Sequence, residues 1–149
     1  MCDAHELTNL LHTYAERIDA GDLDGVADLF AHGRILRPQG DAVGREGARE
    51  MYRQARLYDD GTPRTRHVTT NAIVEVDAGG ETAAVRSYFT VFQQTDVLAL
   101  QPIIAGRYHD TFHRVEGAWC FATRRILVDQ LGDLSQHLDP ERADLLNRS

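Results

Sequence analysis

The chain has 149 residues, 42% of them hydrophobic and 26% charged, which is the balance of one soluble globular domain spanning 1–149. Its formal net charge of -7 excludes a basic nucleic-acid-binding face and disfavours anionic membrane surfaces. The two cysteines, Cys2 and Cys120, lie too far from each other and from histidines to suggest a disulfide framework or a zinc site. No apolar run is long enough to span a bilayer, and "MCDAHELTNLL" lacks the plan of a signal peptide, so a cytoplasmic location is expected.

Leu7, Leu10, Leu11, Tyr14 and Ile18 fall at helical spacing and predict a first helix capped at its end by Gly21. Asp19 sits in the last turn of that helix, where the partial negative charge of the helix end disfavours a carboxylate by up to about 1 kcal/mol. A solvated helix end and a functional group are both open at that position. Asp22 reads as the N-cap of a short second helix that turns Leu23, Val26, Ala27 and Phe30 inward. "RILRP" predicts a short strand ended by Pro38, and "GREGAREMYRQARLY" a third helix with Ala48, Met51, Tyr52 and Ala55 on one face.

After the loop "DDGTPRT" the pattern changes to alternation. "RHVTTNAIVEV", "TAAVRSYFTVFQQ", "IIAGRYHDTFHRV" and "AWCFATRRILVDQ" are four long strand candidates, the last two joined by the tight turn "EG". The tail from Gln136 onward reads as a short last helix or a frayed end. Helices followed by a run of strands predict an α+β fold, with the helices packed on one antiparallel sheet.

Three segments carry a resemblance. "LLHTYAERIDAGDLDGVADLFA", "RHVTTNAIVEV" and "GRYHDTFHRVEGAWCFATRRILVD" resemble the SnoaL-like and scytalone-dehydratase-like branch of the nuclear-transport-factor-like cones. The last segment equally resembles small subunits of ring-hydroxylating dioxygenases. The likeness covers nearly the whole chain. It implies a curved antiparallel sheet wrapped around N-terminal helices, with an open pocket between them. The fold hosts dehydratases, isomerases, cyclases and plain binding modules, so function must be argued from the site.

In the dehydratase-like members a Tyr and an Asp on the first helix face a His on the first long strand. Tyr14, Asp19 and His67 match those positions. The carboxylate of Asp19 would hold the imidazole of His67 in one tautomer, and Tyr14 would hydrogen-bond a developing oxyanion. Taken singly, His67 and Tyr14 fit ordinary half-buried and core positions; the resemblance is what joins the three. Relatives use a second histidine on the next strand, and "AAVRSYFTVFQQ" has none; Ser87 and Tyr88 are the polar groups there.

Substrate contacts are expected from Asn71, which shares face parity with His67 and Thr69, and from Tyr88, Phe89, Ile103 and Trp119. His109 and His113 share a strand face but lack a third ligand, so no metal is expected. No phosphate-binding glycine loop follows a strand, and no cofactor is implied. Arg107 reads as an anion contact or a tie from the sheet to a helix. The leading expectation is a cofactor-independent dehydratase, isomerase or cyclase acting on a small apolar, ring-bearing carbonyl substrate. The alternative is a non-catalytic ligand-binding or assembly module. A homodimer or small homo-oligomer is expected, because three helices cannot cover both faces of a curled sheet.

Overall fold

The computed structural model describes residues 2–138. Three helices come first: α1 (Asp3–Asp19), α2 (Leu23–Asp28) and, after the short strands β1 (Arg34–Leu36) and β2 (Ala42–Val43), α3 (Gly44–Tyr52). Four long strands follow: β3 (Thr65–Val76), β4 (Thr82–Gln93), β5 (Gln101–Val115) and β6 (Ala118–Leu131). All six strands form one sheet in the order β2-β1-β6-β5-β4-β3. The long strands pair antiparallel throughout. Only the short β1 runs parallel to its neighbour, β6.

The inner sheet face and the helices share one core, in which Leu7, Leu11 and Tyr14 of α1 meet Val85, Phe89, Phe112 and Phe121 of the strands. Period-two alternation decides which strand residues join it. In β4, Ala83, Val85, Ser87, Phe89 and Val91 are buried, while Thr82, Ala84, Arg86 and Tyr88 between them are exposed. The helix caps follow chemistry visible in the chain. Asp22 accepts a hydrogen bond from the Gly25 amide at 2.9 Å, as an N-cap should. Gly21 has φ of 75°, and a Cβ there would lie 1.9 Å from the Gly61 carbonyl oxygen, so only glycine lets the chain turn this closely after Asp19.

Two elements depart from the sequence reading. Helix α3 stops at Tyr52 instead of running through "RQARLY", because Ala55 leaves the helix to bridge Leu138. Gln136 to Leu138 form a turn and that bridge, while the continuation of the predicted last helix lies outside the described residues. Among the described residues no helix is long and apolar enough to cross a membrane.

Candidate functional site

Asp19 is the last residue of α1, and its carboxylate has three partners on β3. Oδ1 accepts from the Thr65 hydroxyl at 2.9 Å and lies 2.7 Å from Nδ1 of His67. Oδ2 accepts from the His67 backbone amide at 2.8 Å. These donors explain how a carboxylate persists at the unfavourable end of a helix dipole. Its side chain is 15% exposed and that of His67 9%, so the pair sits at the edge of the interior. Asp19 lies behind the imidazole, on an open groove shared with Asp60, Arg64 and Gln93. The ring itself lines a different space.

That space is a cavity of about 170 Å³ between the helices and the inner sheet face. Tyr14, Ile18, Tyr52, Phe89 and Tyr108 line it together with His67. Tyr108 stacks on Phe89 with centroids 4.3 Å apart, and Tyr14 meets Tyr108 edge-on at 5.9 Å. The Tyr14 and Tyr52 hydroxyls are hydrogen-bonded to each other. Burial pushes the phenol of Tyr14 up and those of Tyr52 and Tyr108 well up, so all three are neutral donors near pH 7.

A second imidazole enters the same cavity. His137 comes from the segment after β6, not from a strand. Three contacts hold that segment over the cavity: the Tyr58 hydroxyl and Gln93 Nε2 both donate to the Gln136 carbonyl, at 2.5 and 3.1 Å, and the Arg56 amide donates to the His137 carbonyl at 3.4 Å. The buried Nδ1 of His137 has no hydrogen-bond partner. Burial, with the nearby His67 adding to it, lowers its pKa from 6.5 to about 4. A histidine neutral in the folded state and protonated in the unfolded one makes stability fall with pH. Loss should begin below about pH 6.5 and be complete below about pH 4, amounting to roughly 3 kcal/mol. Urea titrations at stepped pH check this: His137→Gln should flatten the decline in that window, and an unchanged decline would assign it to other groups.

Of the residues expected to contact substrate, only Phe89 lines this cavity. Asn71 is exposed and has φ of 57° at an irregularity in β3, where the register against β4 shifts between Thr70 and Ile73. The shift breaks the parity that would have aligned it with His67. Tyr88 is 54% exposed on the outer sheet face, as the alternation of β4 demands. Ile103 is fully buried in the core away from the cavity lining. Trp119 lies near the start of α1, its Nε1 donating to Asp3 at 3.1 Å. A helix of 17 residues, about 25 Å long, separates that end from Asp19.

Other polar groups resolve into pairs. Arg107 makes a two-pronged bond to Asp129 on β6, at 2.9 Å for each prong, rather than tying the sheet to a helix. His109 and His113 point to the outer face with Arg86 and Thr82 opposite them. Among the described residues no group of three His, Cys, Asp or Glu side chains is arranged to hold a metal. Sequence reasoning missed His137, because a lone histidine in "LSQHL" carries no periodic signal. It placed Tyr52 on one helix face with Ala48, Met51 and Ala55, without seeing that its hydroxyl meets Tyr14.

A search among proteins of curated function returns no match. Solved structures do resemble the chain. A function-unknown protein of Mycobacterium tuberculosis, Rv3472, solved as a single-residue variant, is 28% identical, with a TM-score of 0.70 over 87% of this chain and 77% of that one. A proposed scytalone dehydratase of Novosphingobium aromaticivorans is 21% identical, with a TM-score of 0.70 over 88% and 87%. ActVI-ORFA of Streptomyces coelicolor is 19% identical, with a TM-score of 0.68 over 85% and 97%. At those lower identities the likeness speaks for the fold alone. The model of the SnoaL-like domain matches residues 1–125, most of the described fold, from α1 into β6. The chain belongs to the SnoaL-like domain family.

Proposed function

We propose that this protein is a small cofactor-independent enzyme of the dehydratase, isomerase or cyclase type. It moves a proton next to the carbonyl of an apolar, ring-bearing substrate. The observation that carries this reading is the 2.7 Å contact between Asp19 Oδ1 and His67 Nδ1 at the wall of an aromatic cavity. With Nδ1–H donated to the carboxylate, Nε2 is the nitrogen left to take a proton. In the Tyr14–Tyr52 pair one hydroxyl donates to the other, and the proton left free donates to the oxygen that becomes negative as the proton leaves carbon. The apolar walls exclude water from the transfer. His137, neutral at working pH, is a second acceptor or donor within the cavity. It stands in for the strand histidine that β4 lacks. The name of one structural relative, a proposed scytalone dehydratase, is compatible with this class.

Proton abstraction can be tested without knowing the natural substrate. A panel of bicyclic ketones is incubated with the protein in D2O, and mass spectrometry reads deuterium at the α-carbon. Incorporation above the His67→Ala background is expected for at least one ring ketone. Incorporation equal to that background across the panel sinks the enzyme reading and leaves a binding or assembly module.

We further propose a homodimer through the outer sheet face. Register places Val68, Ile73 and Tyr88 on that face, and they are 38%, 48% and 54% exposed. Apolar groups clustered on one face mark an interaction surface. Sedimentation at micromolar concentration should give a dimer that Tyr88→Lys dissociates; a wild-type monomer would end this proposal.

A further inference from the structure

Among the described residues Arg124 of β6 is the largest side chain that is buried completely. Its Nε and Nη2 donate to Asp110 Oδ1 and Oδ2 of β5 at 2.8 and 2.9 Å. Both side chains are wholly inaccessible, and the remaining Nη1 has no hydrogen-bond partner. The guanidinium carbon lies 4.2 Å from the centroid of the Tyr14 ring and 3.7 Å from that of Tyr108. Apolar residues of similar volume would hold this core together as well as such an ion pair does. Stability therefore gives no reason for a permanent cation here. Its location does, because Tyr14 and Tyr108 both line the cavity beside His67.

We propose that Arg124, clamped by Asp110 against the Tyr14 ring, is a positioning residue that stabilises negative charge on the Tyr14–Tyr52 hydroxyl pair and on a substrate oxygen bound to it. The proposal rests on the reading that Tyr14 receives the substrate oxygen, and it deepens that reading by naming the oxygen's chemistry. A cation fixed over the phenol faces, its own side chain out of reach of solvent, favours an enolate or phenolate oxygen over a neutral carbonyl. The cavity then selects ring compounds that can enolise or that carry an acidic ring hydroxyl. Asp110, through its two-pronged bond, keeps the cation in place beside the rings.

The groups facing Tyr14 agree in direction. Burial pushes its phenol up, and Arg124 is the strongest influence pulling it back; Asp110 opposes that more weakly. Tyr52 comes from α3 and Tyr108 from β5, both neutral; Phe30 packs edge-on at 6.3 Å and carries no charge. His67 faces the same cavity from β3, and His137 from the segment after β6. Arg124 itself is held charged: burial acts against the charge, but the Asp110 carboxylate outweighs it and raises the pKa.

The test needs no substrate, so its failure is separable from failure of the proton-transfer reading. The tyrosines are replaced biosynthetically with 3-fluorotyrosine, which ionises at lower pH than tyrosine, and 19F NMR follows each resonance with pH. Tyr14→Phe assigns the Tyr14 signal. The double variant Arg124→Met/Asp110→Leu removes the charges together and keeps the volume. Tyr14 should ionise about one pH unit or more higher in the double variant than in the unaltered chain. Arg124→Lys, which keeps a charge but loses the planar fork, should fall between them and serves as the comparison if the double variant does not fold. Tyr14 titrating at the same pH with and without Arg124, or staying protonated in every chain up to alkaline unfolding, overturns the proposal.

Discussion

Replacing Asp19 with Asn should lower exchange turnover by about 10²- to 10⁴-fold while the fold survives. The reason is tautomeric. Asp19 offers two acceptor oxygens, one to the His67 amide and one to Nδ1 and the Thr65 hydroxyl. Asparagine has a single oxygen. If that oxygen keeps the His67 amide bond, the side-chain NH2 faces Nδ1 and donates to it. The ring proton then moves to Nε2, the nitrogen that must be empty to abstract a proton. The lost charge-assisted bonds should cost about 1–3 kcal/mol, visible in urea denaturation and small enough to leave folded protein at 25 °C. Nitrogen-15 shifts of His67 report the tautomer directly, and solvent-deuterium incorporation reports turnover. His67→Ala should match the Asn variant in turnover. Full turnover in Asp19→Asn would show that the contact is structural only.

What could be read from the chain, and what could not, divides along physical lines. Periodicity is local and placed Tyr14 on the apolar stripe of α1, Asp19 at its last turn and His67 on the first long strand, but it was the family resemblance that joined the three into one candidate site. The cone itself follows from the order of three helices and four long alternating segments. Contacts fixed by irregularity were not readable. Asn71 was expected beside His67, and the register shift in β3 carries it to the surface. Trp119 was expected near the pocket, yet its place on the last hairpin brings it to the opposite end of α1, against Asp3 and Arg114. His137 reaches the cavity only because Tyr58, Gln93 and Arg56 hold the segment that carries it, a tertiary arrangement with no signature in "LSQHL". Strand parity turns Asp110 away from His109 and His113, but its partner lies 14 residues on, across a hairpin, and parity alone does not identify such a mate.

The same Asp110 gives the largest expected effect on stability. Arg124→Met leaves a carboxylate with no solvent and no partner, and Asp110→Leu leaves a guanidinium in the same position. Either change alone should destabilise the protein by about 3–5 kcal/mol, read as a lowered urea midpoint, because an orphaned buried charge is uncompensated. The carboxyl can relieve part of its cost by taking up a proton, since burial already pushes it up against the pull of Arg124. The guanidinium cannot deprotonate at any accessible pH, so Asp110→Leu should be the worse of the two. Making both changes removes both charges, and the loss should shrink to roughly 1 kcal/mol or less. That non-additivity is the signature of a pair whose members are costly apart and dispensable together. An additive loss in the double variant would mean instead that Arg124 stabilises the core through its packing on Tyr14, Tyr108 and Phe121, with which its guanidinium makes ring contacts at 4.2, 3.7 and 5.0 Å. A small loss in the double variant is also what gives the Tyr14 titration its meaning: the fold is then intact, and a displaced phenol ionisation reports the missing cation alone.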